Sequence, residues 1–309
     1  MTQASAASTP PVRASGLLGR LGGWLANPWR RPRFLLLVTL AYLAWSIVPI
    51  LVAIRFSFNE GRSRSTAQGW SLNWYWGDPD LSVWHDPALR ESLYQSLKLA
   101  GLAMAIAVPI GVALAIGLTR WRGRGAGAAR LVSLLPLVTP ELVMGVALFL
   151  VFVNLLTFVP LGTTAQAIGH VTFSISFVLV VVRGRLLSIG RDYEEAALDL
   201  GASPLHSVRL VLLPLLAPSI VASAIIVFAI SMDDFVISAY LAAGSGTETV
   251  PVKIYSNARG APTPALNALA SVTLFLTIVA ALVLFAVWSL VRRRQGQRGS
   301  VVGELASLD

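Results

Sequence analysis

The chain alternates between long apolar segments and shorter polar ones. Each apolar segment has about 20 residues or more, enough for an α-helix to cross about 30 Å of hydrocarbon. These segments run approximately over residues 34–54, 93–118, 131–158, 166–187, 210–243 and 266–291. The pattern predicts an all-α membrane protein with six transmembrane helices in one domain, residues 34–291.

Two flanking regions lie outside that domain. Residues 1–33 carry five arginines and no acidic residue among Ala, Ser, Pro and Gly, so we expect a basic, mobile leader. The first apolar segment has spanning length and no obvious cleavage site of small residues behind it, which favours a retained span over a signal peptide. Residues 292–309 form the predicted tail.

Composition and charge agree with a membrane protein. Hydrophobic residues make up 55% of the 309 residues and charged residues 13%, with a mean hydropathy of +0.71. There is no cysteine, which excludes disulfides and thiolate metal sites. The net charge of +9 would suit a nucleic-acid binder, but the basic residues flank apolar segments. We therefore expect lipid, and no nucleic acid, as their partner.

The positions of the basic residues predict the orientation. Of the 24 lysines and arginines, 17 lie in the leader, the loops 119–130 and 183–209, and the tail. Basic residues are enriched in cytoplasmic loops. Since six spans put both ends on one side, we expect both termini and the polar stretch 192–214 to be cytoplasmic.

The segments predicted on the outer side are short. Residues 55–92 contain five tryptophan and tyrosine residues among polar ones, a composition typical of a membrane interface. They are Trp70, Trp74, Tyr75, Trp76 and Trp84. The loops 159–169 and 244–265 leave no room for a sizeable folded domain.

The polar stretch 192–214 predicts two short helices joined by a bend. Asp192, with Glu195 three residues later, resembles a capping box. Gly201 suits the left-handed residue that ends a helix, and Ser203 followed by Pro204 is a typical helix start. From the pattern alone, an ordinary loop between two spans remains an alternative.

Three carboxylates interrupt the apolar segments. Glu141 follows Pro140, roughly 16 Å into the third span if that span is a continuous helix, and Asp233 and Asp234 lie in the fifth. A charge in hydrocarbon costs at least about 2.5 kcal/mol, so these side chains should face water or a partner. They could line a path for a cationic substrate, pair with basic groups of another subunit, cap a broken helix or, for Glu141, start a helix after Pro140. The two aspartates are about 100° apart on a helix, so both are not expected to face one narrow path.

His170 is the other ionisable residue in an apolar setting. A lone histidine there is more often part of hydrogen-bonded packing than a metal ligand, and no second ligand lies at metal-binding spacing. We expect no metal in this chain.

The stretch 192–214 resembles the EAA loop of ABC importer permeases, the cytoplasmic element that docks onto an ATPase subunit. The matching residues are Glu195, Ala196 and Ala197, then Gly201, and finally Val211, Leu213 and Pro214. Val211 stands where the family usually has isoleucine. The resemblance implies that residues 192–214 form the coupling loop.

Further residues are similar to the smaller permease subunit of spermidine/putrescine ABC importers. They are Glu141 after Pro140, where the family has an aspartate, and the runs 170–173, 231–238, 250–256 and 267–270. The resemblance, over about residues 34–291, implies a type I importer permease of a bacterial inner membrane. Its implied partners are a second permease, ATPase subunits that bind ATP and Mg²⁺, and a periplasmic solute-binding protein.

Other functions compete with this interpretation. Relatives in the same class move opines, iron or thiamine. A secondary transporter would need no ATPase, but the coupling loop disfavours it, as does the absence of an internal repeat. The sequence has no Gly-rich phosphate-binding loop around Lys98 or Lys253, so any ATP hydrolysis must occur in another chain. No nucleophile and base are gathered as in an enzyme.

Overall fold

The computed structural model describes residues 33–63, 66–260 and 263–294, and every regular element in those ranges is helical. The long helices are α1 (Arg33–Ser57), α2 (Pro87–Arg120), α6 (Thr163–Ile189), α9 (Leu213–Asp233) and α12 (Pro264–Arg294). The short ones are α3 (Ala126–Val132), α4 (Leu135–Val138), α5 (Glu141–Asn154), α7 (Asp192–Asp199), α8 (Pro204–Ser207), α10 (Val236–Leu241) and α11 (Val250–Gly260). Residues 1–32 and 295–309, most of the predicted leader and tail, lie outside the described residues.

The all-α prediction is confirmed. Five helical runs in the described ranges are long and apolar enough to cross a membrane, and a sixth span results if one bent pair of helices is counted as a single crossing. Helices α1, α2, α6 and α12 each contain one predicted segment. In α1, which mostly belongs to a separate compact unit ending at Ala53, the apolar side chains from Phe34 onwards are exposed, as suits a helix in lipid.

The third predicted segment, 131–158, is not one helix. The run Ala126–Val138, which contains α3 and α4, meets α5 at an angle of 106°. Thr139 and Pro140 are extended between them, with ψ of 129° and 132°. Proline lacks an N–H and disfavours helical backbone in the residue before it, so the helix stops here. The depth of Glu141 calculated for a straight helix was therefore wrong, whereas the expected helix start is correct because α5 begins at Glu141.

The fifth predicted segment, 210–243, is also interrupted. Its helical run begins earlier, at Pro204, and passes through a π turn over Val208–Leu212 into α9. Helix α9 stops at Asp233, Asp234 is extended with ψ of 120°, and α10 begins at Val236. The continuous helix implied by the sequence is therefore broken beside its two aspartates.

Helices α2, α6 and α9 form the main core. Apolar side chains from all three are almost completely buried against one another, including Val112, Val178, Val182, Leu216 and Val227. Small residues let α2 and α6 approach closely. At Gly111 an added Cβ would lie 2.5 Å from Cβ of Val178.

A second cluster involves the aromatic segment and corrects the prediction for Trp74. This ring is 2% exposed and packs with Leu89, Val250 and Leu269, while its Nε1–H donates to the carbonyl of Asn59 at 2.6 Å. Trp74 is therefore a core residue rather than an interface residue. In contrast, the side chains of Trp70, Trp76 and Trp84 are exposed.

One methyl group added at the contact between α2 and α6 should have a large effect on stability. We expect Gly111→Ala to destabilise the protein by about 1–3 kcal/mol, because the backbones must separate to admit a Cβ. Gly117→Ala is the matched control on the same helix, since nothing lies within 4 Å of its Cβ position. Thermal unfolding in detergent measures both; equal midpoints for the two variants would contradict the close packing.

Candidate functional site

Residues 192–214, the predicted coupling loop, have the helix, bend and helix expected from their sequence. Helix α7 is followed by Gly201 with φ of +86°, a left-handed conformation that glycine adopts without strain. The N–H groups of Gly201 and Ala202 donate back to the carbonyls of Leu198 and Ala197 and so close the helix. Ser203 then caps α8, accepting a hydrogen bond from the His206 N–H. The prediction of the bend and of the second helix start is confirmed.

The predicted capping box at Asp192 is wrong. Arg191 occupies the N-cap position without a side-chain hydrogen bond, and Asp192 is the first helical residue. Asp192, Glu194 and Glu195 all lie in the first turn. Their charges therefore stabilise α7 through the helix dipole rather than through a reciprocal cap.

An ion pair connects the coupling loop to the membrane-spanning core. The guanidinium of Arg120, at the end of α2, contacts the Glu194 carboxylate and also donates to the Gly190 carbonyl at 3.5 Å. Both charged side chains are about four-fifths buried. This pair fixes the start of α7 to the end of α2.

The outward surface of the coupling loop is apolar. Leu200 and Leu205 on either side of the bend are 90% and 75% exposed, and Glu195, Ala196 and Pro214 are also exposed, while Ala197 is half-buried. Exposed large apolar side chains beside charged ones are typical of a protein-docking surface. A π turn ends just before Pro214, which has no N–H to donate. In this turn the Leu213 N–H donates a hydrogen bond to the Val208 carbonyl.

The break between α9 and α10 is organised by the Asp234 carboxylate. Its Oδ2 accepts hydrogen bonds from the N–H and hydroxyl of Ser238, at 2.8 and 2.7 Å. Nε2 of His170 on α6 lies 3.2 Å from the same oxygen. Asp234 is only 6% exposed, so these contacts replace the water that Oδ2 would otherwise bind, while Oδ1 is buried without a hydrogen-bond partner in the described residues.

His170 lies at the centre of this buried polar cluster. Its Nδ1 is 2.6 Å from the Ser231 hydroxyl, and its Nε2 is 3.0 Å from the Ser238 hydroxyl. With 2% exposure, the ring connects α6 to both sides of the helix break. The prediction of a hydrogen-bonded histidine is confirmed, and its contact with Asp234 is additional to that prediction.

A second buried polar group extends the cluster. The amide nitrogen of Gln166 donates to the carbonyls of Ser238 and Thr247, each at 2.9 Å. Its amide oxygen accepts a hydrogen bond from Gln95 of α2 at 2.8 Å. A continuous chain of hydrogen bonds thus runs from α2 through α6 to α10, which holds the broken helix against the core.

The other two carboxylates lie beside the buried one. Glu141 lies near Asp234, Asp233 and His170. Glu141 and Asp233 are exposed, in contrast to Asp234, so the neighbouring aspartates diverge as expected for consecutive residues. The two helix breaks therefore bring three carboxylates together. No three acidic or histidine side chains in the described ranges are arranged to hold a metal ion.

Comparison with known proteins is decisive for the class of the protein. Residues 107–297 match the sequence profile of the binding-protein-dependent transport system inner membrane component family. The chain belongs to this family. It is therefore a multi-pass transport subunit and not an enzyme, and the matched region contains the coupling loop and all three carboxylates.

Two relatives from Escherichia coli (strain K12) are similar to this permease over most of their length. The putrescine transport system permease protein PotI is 34% identical over 277 residues, covering 88% of this chain and 94% of the relative. The spermidine/putrescine transport system permease protein PotC is 33% identical over 239 residues, covering 77% of this chain and 88% of the relative.

A solved structure shows the same fold. It is described as a bacterial ABC transporter involved in the import of the acidic polysaccharide alginate, and it matches with a TM-score of 0.67 and 16% identity. The match covers 89% of this chain and 99% of that one. The expected fold of a type I ABC importer permease is thus confirmed.

Two contacts between distant residues of the permease were absent from the sequence-based predictions. Arg120 and Glu194 are 74 residues apart, and His170 and Asp234 are 64 residues apart, since 194 − 120 = 74 and 234 − 170 = 64. Each pair is buried or mostly buried between different helices. The available signal was an ionisable residue beside or within an apolar segment, at Arg120, His170 and Asp234, whereas Glu194 lies in a polar stretch and gave no such signal.

Proposed function

We propose that this permease carries a polyamine such as putrescine or spermidine into the cytoplasm of a bacterium, as one subunit of an ATP-driven importer in the inner membrane. The coupling loop and both termini face the cytoplasm in this proposal, as the distribution of basic residues favours. Relatives named for putrescine and spermidine transport, similar over most of the chain, support the substrate class.

The observation that carries the proposal is the carboxylate cluster at the two helix breaks. Asp234 is held by His170 and Ser238, whereas Asp233 and Glu141 are exposed beside it. Negative charges at a break in apolar helices attract a cation and lower the cost of removing its water. A polyamine has two or more ammonium groups, which such a cluster can bind in turn.

Energy for this movement comes from another chain in our proposal. The coupling loop offers exposed apolar residues to an ATPase subunit, which binds ATP and Mg²⁺. Closure of the ATPase pair would push the coupling loop, and the Arg120–Glu194 pair would transmit the displacement to α2. A second permease completes the path, which opens alternately to each side, and a periplasmic solute-binding protein delivers the substrate.

Reconstituted transport tests the whole proposal. The permease, with its co-purifying permease and ATPase, is placed in proteoliposomes, and the binding protein is added outside. We expect uptake of labelled putrescine or spermidine that requires ATP and every component. Uptake of another solute, such as an opine, thiamine or iron, with no polyamine uptake, would support the assignment to the importer class but overturn the assignment of a polyamine as the substrate. Uptake without ATPase would support a secondary transporter.

The exposed aspartate should matter for transport more than for assembly. We expect Asp233→Asn to reduce polyamine uptake about five-fold, equivalent to losing about 1 kcal/mol of attraction between charges in contact. Recovery of the assembled complex should be unchanged because Asp233 is exposed. Asp80→Asn is the control, an exposed aspartate outside the cluster. Equal losses of uptake and assembly would favour a purely structural role.

The coupling loop should be required for energy transfer. We expect Gly201→Pro or Glu195→Lys to lower ATP-dependent uptake at least about ten-fold without affecting membrane insertion. Proline cannot adopt the positive φ of Gly201, and Glu195→Lys reverses an exposed charge. Gly127→Ala, with open space around its Cβ position, is the control. Normal uptake by a correctly assembled variant would disprove this role.

A further inference from the structure

A groove between α2 and α6 is lined by residues that belong neither to the carboxylate cluster nor to the coupling loop. It encloses about 520 Å³. Its polar lining residues are Lys98, Thr163, Thr164 and Thr172, and Leu102, Ile106, Ile168 and Val171 provide apolar walls. The proposed transport cycle uses none of these side chains.

Most of the polar lining lies at one end of the groove along the helix axis. On α2, Lys98 is followed by Leu102 and Ile106 at intervals of four residues, which lie on one face. On α6, Thr164 is followed in the same way by Ile168 and then by Thr172, whose hydroxyl donates to the Ile168 carbonyl at 2.8 Å. Both helices therefore present a polar end and then a mainly apolar surface, in which the hydroxyl of Thr172 is bonded to its own helix.

The polar end lies at the depth of a lipid headgroup. Lys98 is 22 residues from Arg120 at the other end of α2 (120 − 98 = 22), or about 33 Å along the helix, close to the thickness of the hydrocarbon layer. A hydrogen bond of 2.9 Å from Gln95 to Thr163 aligns the first turn of α6 with this level. The apolar walls then extend from the headgroup level into the hydrocarbon.

The charge at the polar end favours an anion. Lys98 is exposed and contacts no carboxylate within the described ranges. Gly162 precedes the first turn of α6 and has no side chain to cap its free N–H groups, so the helix dipole adds to the positive potential. The hydroxyl of Thr164 is exposed beside this turn.

We propose that this groove binds one anionic phospholipid at the membrane face opposite the coupling loop. The lipid phosphate contacts Lys98 and Thr164, and an acyl chain lies along Leu102, Ile106, Ile168 and Val171. A small soluble phosphate would leave those apolar walls uncovered, and a polyamine would be repelled by Lys98. Charge and polarity together therefore favour an amphiphile with a negative headgroup.

Native mass spectrometry of the complete complex measures the bound lipid. With added phosphatidylglycerol, we expect Lys98→Gln to bind the last retained lipid about five-fold more weakly than the wild type, the effect of one basic residue at a membrane surface. Ala167→Trp, which fills the groove, should remove the same lipid. Lys98→Arg keeps the positive charge and should retain the lipid, which would show that a substitution at this position does not by itself disrupt folding. Equal binding by Lys98→Gln and the wild type would overturn the proposal.

The second lysine of the chain provides a matched control. Lys253 is ion-paired to Glu248 at 3.1 Å and does not line the groove, so Lys253→Gln should leave lipid binding unchanged. Equal retention of phosphatidylcholine would show that charge does not select the lipid. Full displacement by glycerol 3-phosphate at equal concentration would indicate a soluble anion site. Either result would overturn the proposal.

A crosslink identifies what covers the groove in the membrane. Because the chain has no cysteine, Thr164→Cys provides one attachment point in it for a photoreactive group. We expect crosslinks to phospholipid in vesicles that contain phosphatidylglycerol. Crosslinks to the partner permease instead would show that a protein surface occupies the groove, and the lipid proposal would be wrong.

Discussion

Burial of one carboxylate in an apolar bundle constrains the core of this permease. A carboxylate buried there needs hydrogen-bond donors in place of water, and Ser238 and His170 supply them at Oδ2 of Asp234. To accept a hydrogen bond from the Ser238 N–H, the carboxylate must lie just before the start of a helix. The chain therefore leaves helical geometry after Asp233 and begins again at Val236. The break is the means by which the charge is stabilised.

The buried pair also connects structure to transport. Because His170 belongs to α6, the broken helix is fixed to the core on which α2 and α9 pack. Glu141, at the start of α5 after its own proline break, lies near the same carboxylate. Through Arg120 and Glu194, the other end of α2 reaches the coupling loop. One packed core thus joins the carboxylate cluster to the surface proposed to receive the ATPase.

Local features were largely predictable from the sequence, while distant contacts were not. Hydrophobic patterning identified the apolar segments, and Gly201 and Ser203 identified the bend, because both signals depend on nearby residues. Pro140 indicated a helix start, but the 106° bend depends on packing against other helices. Likewise, the pairing of His170 with Asp234 depends on how two helices meet. Trp74 was misinterpreted because an aromatic residue at a membrane interface and one in a protein core can have the same neighbouring residues in the sequence.

The central claim, that His170 and Asp234 stabilise one another, is tested most directly by a double-mutant cycle. Thermal unfolding of the assembled complex is measured for His170→Gln, Asp234→Asn and the double variant. Residues in one buried network show interaction energies of about 0.5–3 kcal/mol. We predict that the double variant is less destabilised than the sum of the single variants by such an amount. Effects that add to within about 0.3 kcal/mol would contradict the pairing.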